Sequence, residues 1–176
     1  GLIHRSLGQW DESVDDLTRA AEHLESKGAS DQWVATVIAY RAGVFYRQGR
    51  IEAATTDIDQ AIKLGLEGAN IHLMRAMALY AKSQTVEAVE ALRKAKEIDP
   101  DNEKVRWTLC AVFERLELFE LAIAEADTLL TWYNDDPKLL AVRARLFFQQ
   151  ARFDDALADA NRALELDPEH VAARLC

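Results

Sequence analysis

The chain has 176 residues, 49% of them hydrophobic, with only seven glycines and three prolines. That composition excludes a disordered chain, because enough apolar surface is available to offset the ordering entropy, and it favours helix by leaving few breakers to end strands. A formal net charge of −9 is the wrong sign for coating a phosphate backbone, so no nucleic-acid partner is expected.

Taken from the N-terminus, the first landmark is Gly8, whose counterpart Gly49 lies 41 residues on. Every later step is 34 residues. Ala54, Ala88, Ala122 and Ala156 keep that step, as do Ala61, Ala95, Leu129 and Ala163. In the half before each, Ala42, Ala76, Cys110 and Ala144 recur, with Phe45, Leu79, Phe113 and Phe147 three places later. Two helices per unit are predicted. They approach closely where the side chain is small, and the large residue fills the space beside it. The surplus between Gly8 and Gly49 lies around HLESKGASDQW and predicts a longer helix, a turn at Gly28–Ser30 and a longer helix after it. Later breaks fall at DPDN (99–102) and DPEH (167–170). Asp136 is placed to cap a helix whose first residue is Pro137.

This pattern resembles the tetratricopeptide repeat family, which is built on a 34-residue helix–turn–helix. In that register the full repeats are 35–68, 69–102, 103–136 and 137–170. A partial repeat covers 1–34, with Trp10, Leu17 and Ala20 at the family's packing positions, and a stub at 171–176 begins another. Both ends fall inside repeats, so a longer natural protein is expected. The resemblance implies an all-α fold, a single domain over 1–176 forming an α-solenoid of antiparallel helix pairs wound as a right-handed superhelix. Ile38, His72, Arg106 and Leu140 depart from the family's usual tryptophan, and Leu66 and Asn134 from its proline. Trp10 and Trp132 fall at core positions of the register and are assigned to packing. Trp33 lies just before a helix and fits either packing or the surface.

Catalytic signatures are absent. There is no HExxH, GxSxG, GxxxxGK[ST] or GxGxxG, so no enzyme activity and no cofactor are expected. His4, His23, His72 and His170 are scattered and carry no second ligand at helical spacing, so no metal site is expected. Cys110 sits in an apolar helical run and reads as a buried thiol, and nothing suggests that Cys110 and Cys176 belong to a disulfide framework. The abundant carboxylates fall mostly on outer helix faces and read there as a solvated surface. No apolar run reaches the ~18 residues that cross a bilayer and no secretory leader is visible. A cytoplasmic protein without direct membrane insertion is expected.

The resemblance places a groove along the first helix of each repeat. Carried over residue by residue, it offers Tyr46, Arg47, Leu73, Met77, Tyr80, Lys104, Trp107, Arg115, Lys138, Arg145 and Phe148 as a peptide-binding strip. Five cations there face one acid, Glu114, inside an acidic protein. The expected ligand is a protein or peptide segment with apolar and acidic side chains, and arginine and aromatics are frequent hot-spot residues. The family's subclass that grips chaperone C-terminal tails uses lysine and asparagine where this chain has Ala39, Leu73, Trp107, Ala141, Gly43, Met77 and Ala111. Only Arg145 fits, so no chaperone-tail clamp is expected. Two alternatives stand beside the groove: self-assembly into a homo-oligomer through open ends, and a recruiting or regulatory role within a larger enzyme.

Overall fold

The computed structural model describes residues 9–169. The stub at 171–176, Gly8, His4, His170 and Cys176 lie outside the described residues. Among these residues there are nine helices and no strand: α1 (Trp10–Ser26), α2 (Asp31–Arg47), α3 (Ile51–Lys63), α4 (Ala69–Ala81), α5 (Thr85–Ile98), α6 (Glu103–Arg115), α7 (Phe119–Trp132), α8 (Pro137–Gln149) and α9 (Phe153–Leu166). They form two compact units, Gly1–Pro100 and Asp101–Cys176.

The repeat register coincides with the helices. α4, α6 and α8 open at residues 69, 103 and 137, and α3, α5, α7 and α9 open at 51, 85, 119 and 153. The insertion falls as the spacing predicts: α1 and α2 are 17 residues each, against 13 or 14 for the later helices. Asp136 Oδ1 accepts hydrogen bonds from the backbone N–H of Lys138 and Leu139 at 2.8 and 3.1 Å, with Pro137 opening α8.

All sixteen register residues named above are buried; Ala42, Ala76, Ala144, Ala54, Ala88 and Ala122 are fully so. Ser13, which stands in the alanine register of the partial repeat, is also fully buried. A small side chain lets two helix backbones approach, so large neighbours such as Phe45 and Phe147 close the remaining space.

Each turn from first to second helix is built the same way. Gly49, Ser83, Glu117 and Ala151 all take positive φ, between 57° and 74°. The next N–H (Arg50, Gln84, Leu118, Arg152) donates back to the carbonyl of Phe45, Leu79, Phe113 or Phe147 at 2.9 Å, which ends the helix in a Schellman motif. Only the first of the four turns uses glycine, although left-handed backbone costs an L-residue about 1 kcal/mol or more. Ala151→Gly and Glu117→Gly are therefore each expected to stabilise the protein by about 0.5–1 kcal/mol. Gly49→Ala is expected to lose a similar amount, although nothing lies within 4 Å of the added Cβ. Urea denaturation midpoints of the three variants check this.

The hairpins are also tied by buried charge. Asp57, Glu125 and Asp159, one register position apart by whole repeats, are only 5, 7 and 8% exposed. These three are exceptions to the reading of the carboxylates as mostly solvated. Arg41 Nε and Nη2 donate to the two Asp57 oxygens at 2.7 and 2.9 Å, and its Nη1 reaches Thr18 Oγ1 on α1 at 3.1 Å. Arg143 repeats the arrangement. It holds Asp159 on α9 at 2.7 and 2.8 Å and Asp127 on α7 at 2.6 Å. The hydrogen bonds it donates to Asp159 raise the Arg143 pKa further, so its charge is permanent. Where Ala91 replaces the carboxylate, Arg75 turns to Asp59 of the preceding repeat at 2.9 Å.

Trp132 is corrected as well. It is 38% exposed rather than core, and the Arg106 guanidinium lies 4.9 Å from its ring centre. Arg106 stands where the family has tryptophan. Its Nη1 donates to Glu125 at 2.8 Å, so the hairpin is bridged by charge and Trp132 covers the bridge from outside. Trp10, assigned to packing, is half-buried.

Candidate functional site

Helix geometry decides which side chains of the first helices can face a ligand. Residues spaced by three or four share a stripe. On α2 the stripe is Thr36, Tyr40, Gly43 and Arg47; on α4 it is Asn70, Met74, Met77 and Ala81. On α6 and α8 the same register gives Lys104, Thr108, Ala111 and Arg115, then Lys138, Val142, Arg145 and Gln149. Every one of these sixteen residues is half-buried or exposed.

In the first unit, Arg47 is exposed and Met77 and Tyr80 are half-buried. Tyr46 is half-buried and packs on the cluster of Ala35, Ile38, Ala42 and Ile58, so its ring serves the core as well as the surface. Leu73 is a correction. It was expected to be an exposed anchor, yet it is 6% exposed. Its register neighbours in the other repeats are Ala39, Trp107 and Ala141, and Ala141 is buried too. That position flanks the open stripe and turns toward packed helices.

In the second unit, Lys104, Arg115, Lys138 and Arg145 are exposed, and Trp107 is half-buried for the reason just given. Phe148 is 50% exposed and meets Phe153 edge-on, with ring centres 5.5 Å apart. Arg145 does not stand alone. Its Nε and Nη2 donate to both carboxylate oxygens of Glu114 at 2.7 and 2.9 Å. The bidentate pair joins α6 to α8, and Lys104 and Lys138, one register step apart, are exposed on this face. The Cys110 thiol is buried, and burial, reinforced by the Glu114 charge, pushes its pKa up to about 12, which makes it a packing group rather than a nucleophile.

Charge is sorted by helix type. The four first helices α2, α4, α6 and α8 hold only three carboxylates, Asp31, Glu103 and Glu114, and α4 and α8 hold none. Each second helix, α3, α5, α7 and α9, holds three or more. The carboxylates thus concentrate on the second helices and the connecting segments, although α5 balances its three with Arg93, Lys94 and Lys96, and the first helices present Arg47, Lys104, Arg115 and Lys138 to solvent. No group of three His, Cys, Asp or Glu side chains able to hold a metal occurs among the described residues. No helix among them is long and apolar enough to cross a membrane.

Family models described as tetratricopeptide repeat match residues 41–103, 79–146 and 137–170. The chain belongs to the tetratricopeptide repeat family. Among curated proteins it is 21% identical over 189 residues to DnaJ homolog subfamily C member 3 of Gallus gallus, covering 96% of this chain and 38% of that protein. It is 34% identical over 124 residues to small glutamine-rich tetratricopeptide repeat-containing protein 2 of Mycosarcoma maydis, covering 59% and 35%. The chain thus spans little more than a third of the length of these curated relatives. Among solved structures, YrrB, described as a TPR protein with an unusual peptide-binding site, superposes with a TM-score of 0.81 at 16% identity, covering 98% of this chain and 86% of that one. A MamA structure superposes at 0.80 with 13% identity, covering 94% and 87%. These likenesses establish the all-α repeat fold that the 34-residue register implies.

Proposed function

We propose that this tetratricopeptide repeat segment is a non-catalytic interaction module whose first helices hold an apolar, acidic segment of another protein. The observation that carries the reading is the sorting of charge. A chain of net charge −9 keeps carboxylates almost entirely off the faces that present Arg47, Lys104 and Lys138. Such complementarity steers an acidic partner and rejects basic ones. Met77 and Tyr80 in the first unit, and Trp107 in the second, supply adaptable and aromatic contact area on the same set of helices.

The test is capture of partners from lysate of the source organism on wild type and on the Lys104→Glu, Lys138→Glu double variant. The captured segment is then titrated against both proteins. Binding by wild type and its loss from the folded variant is the expected result. Equal capture by both would reject the cationic face as the site.

A second reading, self-association, is favoured by one patch. Phe148, Phe153 and Leu157 are 50, 59 and 61% exposed. One repeat earlier, where α8 packs on α7, the register mates of the last two are covered: Phe119 is half-buried and Ile123 is 7% exposed. A second copy of the chain docking on α9 would bury this surface. Sedimentation velocity over a concentration series is then expected to show a dimer that Leu157→Lys abolishes. A monomer at every concentration would exclude it.

A further inference from the structure

The seven-residue lengthening of the first helical turn region has a consequence for the binding face of the first unit. α2 opens at Asp31, four residues before its repeat register begins, and is one helical turn longer than α4, α6 or α8. Backbone bonds from Trp33 and Val34 to the Ser30 carbonyl, at 2.9 and 3.4 Å, start that turn. Asp31 complements its dipole. Val34 pins it to the core at 3% exposure, alongside Ala35 and Ile38. Trp33 is thereby held on a rigid helix yet is 66% exposed.

Its direction is set by periodicity. Trp33, Tyr40 and Arg47 are seven apart, so they lie on one stripe of α2, the stripe that also carries Thr36 and Gly43. Tyr40 is 46% exposed. Beyond it the stripe dips at Gly43, where an added Cβ would meet Met74 Cε on α4 at 3.7 Å. The two first helices of this unit carry one carboxylate, Asp31, which lies on the far side of α2 from this stripe. A rigid, exposed aromatic pair leads along one line to a cation, and the neighbouring helix offers thioethers and no opposing acid.

We propose that Trp33, which precedes the 34-residue register, extends the α2 stripe of Tyr40 and Arg47 into a ligand subsite, and that it takes an extended peptide with an apolar side chain at one end and a carboxylate at the other. The inference rests on the reading of the first helices as the ligand-bearing face and names the chemistry that the first unit selects. Trp33 and Arg47 are separated by about 21 Å along the helix at 1.5 Å per residue. An extended peptide covers that in about six to seven residues. The apolar residue stacks on Trp33 and Tyr40, and the Asp or Glu reaches the Arg47 guanidinium, which pairs bidentately with carboxylates. The backbone between crosses the shallow point at Gly43.

The test uses a random linear 12-residue peptide library displayed on phage, selected on wild type. Fluorescence polarisation of the enriched peptides then compares wild type, Trp33→Ser, Arg47→Glu and the Lys104→Glu, Lys138→Glu variant, each checked for unchanged helical circular dichroism. The subsite predicts enrichment of an aromatic or aliphatic residue about six positions from an Asp or Glu. It also predicts about a 10-fold weaker Kd for Trp33→Ser and for Arg47→Glu. Enriched peptides that bind Trp33→Ser as tightly as wild type overturn the subsite while leaving the broader peptide-binding reading intact. A library from which nothing is retained overturns both.

Discussion

Arg143→Ala is expected to destabilise the protein by about 3–5 kcal/mol, the largest loss predicted for any single change here. The guanidinium holds Asp159 through two bonds of 2.7 and 2.8 Å and Asp127 through one of 2.6 Å, so it joins α7, α8 and α9. Removing it leaves the Asp159 carboxylate charged, 8% exposed and without its principal counter-ion. Replacing both partners by Arg143→Met and Asp159→Leu removes the stranded charge, and the double variant is expected to be more stable than Arg143→Ala. Urea unfolding of wild type and the two variants at pH 7 checks both statements. A loss under about 1 kcal/mol in Arg143→Ala would show that the pair is solvated.

The second large effect is on binding. Lys104→Glu with Lys138→Glu is expected to weaken the captured partner segment by about 30- to 100-fold, or about 2–2.7 kcal/mol. Both lysines are exposed and occupy the same register place on α6 and α8, so the folded state should tolerate the change within about 0.5 kcal/mol. Arg145 is a poorer probe of ligand charge. Reversing it would set a new carboxylate against Glu114, which it now holds at 2.7 and 2.9 Å, and would disturb the join between two helices. The double lysine variant separates ligand recognition from that structural pair. Raising the salt concentration should weaken wild type toward the variant, because exposed charges are screened.

The fold was legible because its determinants repeat. A small residue every 34 positions, beside a large one, marks where helices touch, and Cys110 in place of alanine keeps both the size and the burial of its register. The insertion was legible for the same reason, since any departure from a strict period must be housed in longer elements. Side-chain direction within a helix was harder to read. Leu73 and Trp107 sit one step off the open stripe, a rotation that residue identity does not disclose. Trp132 shares its register with Leu64, Ile98 and Leu166. All four are apolar and none is fully buried, so hydrophobicity there signals a partly covered rim at the helix end. The buried ion pairs could have been found from spacing. Arg41 and Asp57, and Arg143 and Asp159, are 16 residues apart and three repeats from one another. That opposite charges recur at fixed register positions was the available signal. Reading acids as solvated by default hid it. Trp33 stayed open because it lies in the inserted turn, where no repeat supplies a comparison.

A ligand held along the first helices leaves a different footprint from one held on the second helices. Amide hydrogen exchange of the protein with and without its captured partner segment tests this most directly. Added protection confined to α2, α4, α6 and α8 is the expected result. Protection concentrated on α7 and α9, or around Phe153 and Leu157, would contradict it and assign the partner to the outer or end surface.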